Sequence, residues 1–195
     1  FMTGADESLH GIRVNAGLLL TIGRWKIAQI GVSNGMYVDV PHGVQLPNFQ
    51  EEKQFIFVRE IYDDYIEAIR RDKSAGLRGA IVTGNSRIGK SVGFLNYLLF
   101  VLAKEKMTVI YECATADVSY CFNFAESTVK AVRGRPTFAE QDRKDSFYLF
   151  DPTANENSRE PLQCGAFTIV TASGNNKHFN QFQRDAQLTP YFLPV

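Results

Sequence analysis

Residues Gly84 to Ser91 combine the side chains and the backbone freedom that phosphate binding needs. Their sequence, GNSRIGKS, fits the pattern GxxxxGK[ST] of the Walker A phosphate-binding loop. Gly84 and Gly89 let the backbone turn so that successive N–H groups face one anion. Lys90 brings a positive charge to the β- and γ-phosphates, and the Ser91 hydroxyl can ligate Mg²⁺. The predicted nucleotide-binding residues of this loop are Gly84, Asn85, Ser86, Arg87, Ile88, Gly89, Lys90, Ser91 and Val92.

An aspartate suited to the same metal ion follows a second apolar run. Four apolar residues precede Asp151 in the sequence FYLFD, which has the Walker B form of a buried strand with a carboxylate at its tip. We predict that Ser91 holds Mg²⁺ directly and that Asp151 holds it mainly through water. Ser173 and Asn175, which follow the next β-prone run, are candidate γ-phosphate sensors; plain turn residues are an equally weighted interpretation.

Hydrolysis also needs a carboxylate that orients and polarises a water molecule. Pro152 and Thr153, which follow Asp151, cannot do this. Glu112 ends the β-prone run TVIYE, and the ends of parallel strands meet at one crevice. We therefore predict Glu112 as the base, so that Lys90, Glu112 and Asp151 are the catalytic candidates. A capping or salt-bridge role for Glu112 stays open.

Alternating strand and helix signals predict how these residues are positioned. Strands are expected at 80–83, 108–112, 147–151, 167–171 and 191–193, and helices at 59–71, 91–106 and 177–187. The segment 113–145 is expected to be irregular, with a helix near 124–132 and a basic turn at 133–136 that could supply an arginine finger. The pattern predicts an α/β fold, a P-loop NTPase three-layer sandwich with a mainly parallel five-stranded sheet. The phosphate-loop strand is expected between the third and fourth of these strands.

The first 50 residues differ in character from the rest. Short β-prone runs alternate there with Gly, Asn and Ser, and Asn34-Gly35 between two of them predicts a hairpin. The stretch 41–50 reads as a linker. We predict a small β-rich lead-in over residues 1–50 and a nucleotide-binding domain over residues 51–195.

Composition restricts the partners. The chain has 21 basic and 21 acidic residues, so bulk charge gives no case for nucleic acid or an anionic membrane. The longest apolar run is far too short to span a bilayer, and no signal peptide is visible at the N-terminus. Three cysteines without a CxxC pair favour a reducing, intracellular compartment.

Several segments together resemble one known family. These are FVREIYDDYIEAI, the loop with its flanks GAIVTGNSRIGKSVGFLNYLLFVLAKE, and TVIYE, FYLFDP, TIVTASGNNKHFNQF and YFLPV. The ensemble, covering about residues 55–195, resembles the P-loop ATPase domain of Crinkler-type effectors of oomycetes and fungi and of the retrotransposon hot spot proteins of trypanosomes. The LFLAK-type N-terminal motif of Crinklers is not found in residues 1–50. The resemblance implies ATP or GTP hydrolysis, secretion as an effector, action in a host nucleus, and an attached C-terminal domain outside this chain.

Three functions stay open at this point. The first is a Mg²⁺-dependent NTPase module that powers or switches an attached domain. The second is a nucleotide-binding switch or degenerate scaffold, which the missing glutamate after Asp151 favours. The third is a small-molecule kinase, for which only Arg133 and Arg135 could form the lid. The sequence leaves the choice of ATP or GTP and the oligomeric state open.

Overall fold

The structure is a computed structural model that describes residues 21–30, 35–42, 44, 46–47, 55–85, 88–152, 159–172 and 188–194. A small sheet contains β1 (Ile27–Ile30), β2 (Gly35–Asp39) and β3 (Phe55–Val58). A large sheet contains β4 (Gly79–Thr83), β5 (Thr108–Cys113), β6 (Val118–Asn123), β7 (Thr128–Arg133), β8 (Phe147–Asp151), β9 (Phe167–Thr171) and β10 (Thr189–Phe192). The helices are α1 (Ile61–Ser74) and α2 (Asn96–Lys104), with a π-helical turn at Lys90–Leu95 and 3₁₀ turns at Ile22–Arg24 and Ala139–Asp142.

The large sheet has the strand order β10-β4-β9-β8-β5-β6-β7. The first five strands in this order run parallel, and β6 and β7 are antiparallel to their neighbours. The expected α/β fold with a mainly parallel sheet is confirmed, but the described sheet has seven strands rather than five. The expected position of β4 is also wrong, because β4 lies between β9 and β10. One strand, β9, separates β4 from β8.

The segment that the sequence suggested was irregular forms the two extra strands. The helix expected near 124–132 is wrong, since β6 and β7 form antiparallel ladders there. Asp117 and Ser127, with φ of 50° and 53°, lie in the turns before these two strands. Burial alternates through much of β7, where a buried Ala131 lies between the exposed Lys130 and half-buried Val132. Such a pattern fits the pleat of a strand at a sheet edge.

Two helical segments cover one face of the large sheet. The buried residues of α1, Tyr62, Ile66 and Ile69, recur at helical spacing. The helix α2 is buried on nearly every side. Both helices belong to one hydrophobic cluster with Val109 and Leu149 of the sheet. The alternate side chains of the same strands, including Ile110 and Tyr148, form a second cluster on the other face. Because side chains alternate along a strand, each residue at the carboxyl end of a strand points to one of these two faces.

The small sheet shares the first cluster. Val38, Ile56 and Val58 are buried in it together with the residues of α2. Phe55–Val58 is the strand β3, with the alternating burial of a strand. It follows the boundary expected at residue 50 yet pairs with β2. None of the helices in the described ranges is long and apolar enough to cross a membrane.

Candidate functional site

The predicted phosphate loop leaves the carboxyl end of β4, inside the parallel part of the sheet. Gly84 has φ of 143° and Gly89 has φ of 88°, both conformations that disfavour a side chain. A Cβ on Gly84 would lie 2.6 Å from Ile88 Cδ1 and 2.8 Å from the Leu193 carbonyl oxygen. The two glycines are therefore required by the backbone itself, as the sequence pattern predicts.

Lys90 folds back over its own loop. The residue is only 9% exposed, and Nζ donates to the carbonyl oxygens of Gly84 at 2.9 Å and Asn85 at 2.6 Å. Burial lowers the pKa of the Lys90 ammonium, and the charge of Asp151 opposes that shift. The loop thus holds a largely buried cation close enough to Asp151 to interact with it.

Asp151 ends β8 as a buried carboxylate. Its Oδ1 accepts a hydrogen bond of 3.0 Å from the hydroxyl of Thr171, the last residue of β9. Leu149, two residues earlier on the same strand, belongs to the cluster beneath α1 and α2, so Asp151 faces the same side as those helices. Thr171 therefore orients the Asp151 carboxylate. It is a polar residue that ends a buried strand, a signal that the sequence interpretation passed over in favour of Ser173 and Asn175.

Residues at the start of α1 donate hydrogen bonds to carbonyl oxygens of the loop. Arg59 Nη1 donates to the Ile88 carbonyl oxygen at 3.4 Å, and the Tyr62 hydroxyl donates to the Gly89 carbonyl oxygen at 3.3 Å. The Gly89 carbonyl also accepts from the N–H groups of Gly93 at 2.9 Å and Phe94 at 2.8 Å. The bond from Phe94 spans five residues and widens the first turn into a π turn. One carbonyl oxygen thus links α1, the loop and the helix after it.

The residues present fit a Mg²⁺–phosphate group. No cluster of three or more His, Cys, Asp or Glu able to hold a metal occurs in the described part of the chain. Mg²⁺ bound to a nucleotide needs only one or two protein oxygens, because phosphates and water supply the others. Asp151 and the partly exposed Ser91 can provide these oxygens.

A buried hydroxyl adds to this fit. Tyr111, on the same face as Asp151, is fully buried, and its hydroxyl has no hydrogen-bond partner among the described residues. Burial raises the pKa of Tyr111 well above its ordinary value, and the charge of Asp151 adds to the effect. An orphaned hydroxyl of this kind suits a neighbourhood that receives a polar group or water.

Glu112 does not lie with Lys90 and Asp151. β5 continues past Glu112, and Cys113 is the residue that pairs with Asp151. Because neighbouring side chains alternate, Glu112 faces the second cluster, where it accepts a hydrogen bond from the hydroxyl of Tyr148. The geometry therefore separates the predicted base from the phosphate loop.

The surroundings of Glu112 are those of a buried structural carboxyl. The residue is 1% exposed, and its Oε1 has no hydrogen-bond partner among the described residues. Burial raises the pKa of the Glu112 carboxyl, while the Tyr148 hydrogen bond and the charges of Arg135 and Arg159 act against that rise. Arg135, one of the two arginines in the turn that could supply an arginine finger, donates to the Glu160 carbonyl oxygen.

Three predicted site residues, Ser86, Arg87 and Ser173, lie outside the described residues, as do Asn175 and the helix expected at 177–187. The residues that the structure brings together are Gly84, Asn85, Ile88, Gly89, Lys90 and Asp151, and it adds Arg59, Tyr62 and Thr171.

No family model matches the chain, and no curated protein matches it either. The functional argument therefore depends on the residues and geometry described above.

Proposed function

We propose that this chain binds a nucleoside triphosphate, ATP or GTP, together with Mg²⁺ and hydrolyses it. One observation carries the proposal: Lys90 is held largely buried over the loop carbonyls, on the side of the sheet that Asp151 faces. A cation in a glycine-rich loop at the carboxyl edge of a parallel sheet is the arrangement that binds phosphate groups in α/β proteins.

In this proposal each residue of the site has a separate role. Lys90 exchanges its bonds to the Gly84 and Asn85 carbonyls for bonds to phosphate oxygens, which form stronger charge-assisted hydrogen bonds. Ser91 and Asp151 would hold Mg²⁺, which neutralises charge on the phosphates when bound. Thr171 keeps the Asp151 carboxylate oriented.

The second candidate function is a nucleotide-binding switch with little hydrolysis. The position of Glu112 favours it, because the carboxylate that the sequence suggested as base faces the other side of the sheet. In either case the attached effector domain and action in a host nucleus follow only from the resemblance to Crinkler-type proteins. They are part of the proposal.

Replacing the loop lysine tests the binding proposal. We expect Lys90→Ala to weaken ATP or GTP binding by about 2 kcal/mol or more, roughly thirtyfold, because a charge-assisted contact is lost. We expect Asp151→Asn to keep its fold and lose the gain in affinity that Mg²⁺ gives. Isothermal titration calorimetry with each nucleotide, with and without Mg²⁺, measures both effects.

The matched control is Lys26→Ala, which removes an exposed lysine beside the small sheet. It should bind nucleotide as the parent does. Unchanged affinity in Lys90→Ala would refute the phosphate-loop assignment. Phosphate release by the parent then separates the two functions: sustained turnover indicates a hydrolase, and tight binding without turnover indicates a switch.

A further inference from the structure

A second concave site lies at the end of the sheet opposite the phosphate loop. A cavity of about 390 Å³ is lined by Lys73 near the end of α1, Arg78 just before β4, Lys144 just before β8, and Cys164, Gly165 and Phe167 at the start of β9. The loop residue Gly84 follows the other end of β4. Five residues of strand place the two sites about 17 Å apart. The cavity is therefore distinct from the phosphate loop.

The cavity carries an excess of positive charge. Three of its lining residues are cationic, Lys73, Arg78 and Lys144, and none of the described residues that line it is Asp or Glu. Within the described part of the chain, the side chains of Arg78 and Lys144 make no hydrogen bond or ion pair. Asp145, next to Lys144 in the sequence, accepts hydrogen bonds of 3.0 and 2.7 Å from Arg143, and its charge also acts on Lys73. Three positive charges thus line the cavity, offset in part by Asp145, in a chain whose net charge is zero.

Lys73 is the fixed member of this group. Its ammonium donates to the Lys144 carbonyl oxygen and lies 5.1 Å from the ring centre of Phe147 and 6.0 Å from that of Phe167. These contacts hold the ammonium at the cavity wall, since cations are attracted to aromatic faces at such distances. An ammonium has three donors, so further donors remain for a ligand.

We propose that this cavity binds a small phosphate-bearing anion. Its volume lies within the range typical of small-molecule sites and exceeds what a single phosphate ion fills. Clustered Lys and Arg side chains recognise phosphate oxygens by charge-assisted hydrogen bonds. The ligand class is thus a pyrophosphate or a compact phosphorylated metabolite, bound independently of the nucleotide at Lys90.

Cys164 provides a direct readout of occupancy. It is the partly exposed cysteine at the cavity, whereas Cys113 and Cys121 are buried at 0% and 2% exposure. A neutral maleimide should therefore label Cys164 first, and Cys164→Ser should abolish that fast labelling. A ligand in the cavity covers the thiol and slows the reaction. Because the reagent is uncharged, it does not compete with the anion for the cationic side chains of the cavity.

The experiment compares the labelling rate with and without pyrophosphate, inorganic phosphate and a phosphorylated sugar, at constant ionic strength set with sodium chloride. When the anion concentration is about ten times its Kd, roughly one cavity in ten stays free, so we expect the labelling of Cys164 to slow about tenfold. Protection should be unchanged in Lys90→Ala, which disables only the phosphate loop. It should be lost in the double variant Arg78→Gln/Lys144→Gln, and retained in the control Lys26→Gln.

Three results would overturn the proposal. They are protection no greater than sodium chloride gives, protection that survives the double variant, and protection that disappears in Lys90→Ala. Protection by a single-stranded oligonucleotide but by none of the small anions would replace the small ligand with a nucleic-acid backbone. Circular dichroism and thermal unfolding of each variant establish that the fold is intact.

Discussion

The hydrogen bond between Thr171 and Asp151 shows how one side chain can set the position of another. The Asp151 carboxylate lies at the tip of β8, and the Thr171 hydroxyl reaches it from β9 at 3.0 Å. Both residues are buried. A carboxylate held in this way presents its remaining lone pairs in a fixed direction, which favours binding of a metal or of its water ligands.

Replacing Thr171 by valine should separate this orientation from the fold. Thr171→Val keeps the shape of the side chain and removes the donor, so we expect the gain in nucleotide affinity given by Mg²⁺ to fall about tenfold or more. Calorimetric titration of ATP and GTP with and without Mg²⁺ measures that gain. Thr168→Val is the control, because Thr168 is buried on the same strand and bonds to the Ala166 carbonyl instead. Equal losses in the two variants would show that Thr171 has no special role.

At the scale of elements, Tyr62 joins α1 to the π-helical turn. The ring of Tyr62 packs edge-on against Phe94, with centroids 5.4 Å apart, and its hydroxyl reaches the Gly89 carbonyl. A Cβ on Gly93 would lie 2.6 Å from the Tyr62 hydroxyl oxygen, and 3.5 Å from the nearest ring carbon. The absence of a side chain at Gly93 therefore allows the tyrosine hydroxyl to approach the loop.

This contact predicts a coupled pair of variants. We expect Gly93→Ala to lower the free energy of unfolding by about 1–3 kcal/mol, because the added methyl group displaces a buried tyrosine. In the Tyr62→Phe background the clashing oxygen is gone, and the same substitution should be neutral or stabilising, since alanine favours helix. Denaturant unfolding of the parent, both single variants and the double variant gives the coupling energy. If the effects of the two changes simply add, the Tyr62 hydroxyl does not limit residue 93.

Elements with a strong local signal were predicted well. The strands β8 and β9 match their predicted bounds, and β4 starts one residue earlier than predicted. Each is buried along its whole length, and a continuous apolar run bounded by turn residues marks such a strand in the sequence. The hairpins that join β5 to β6 and β6 to β7 are local in the chain, but they were missed because their turns, 114–117 and 124–127, carry no Asn-Gly or Asp-Gly signal and instead place Asp117 and Ser127 in the left-handed region.

At the scale of the whole molecule, sheet order and register decide which residues share a face. The Walker A glycines, Lys90 and Asp151 could be found from the sequence, since local patterns carry them. The side on which Glu112 lies could not, because it depends on β5 pairing with β8 so that Cys113 is opposite Asp151. A shift of one residue in that register would have put Glu112 on the side of the loop.

The buried Glu112 makes the stability of the whole fold depend on pH. Burial raises the pKa of its carboxyl above the ordinary value of 4.5, so above pH 4.5 the folded chain retains a proton that the unfolded chain releases. This contribution to stability is complete below the unfolded pKa and is lost as the pH rises through the higher folded pKa. The orphaned Oε1 explains why the ionised form is disfavoured.

Glu112→Gln removes the titrating group and keeps the size of the side chain. We expect the stability of the parent relative to this variant to fall as the pH rises above 4.5, measured by denaturant unfolding at a series of pH values. Glu60→Gln, at an exposed position before α1, is the control for removing one carboxylate. A stability difference that is constant or rises with pH would contradict a buried carboxyl with a raised pKa.

Because Glu112 faces away from Lys90, we also expect Glu112→Gln to release phosphate at a rate within about threefold of the parent, whereas loss of a general base typically costs on the order of a hundredfold. A loss of that size without weaker nucleotide binding would return Glu112 to the catalytic site and require β5 to present it on the other face.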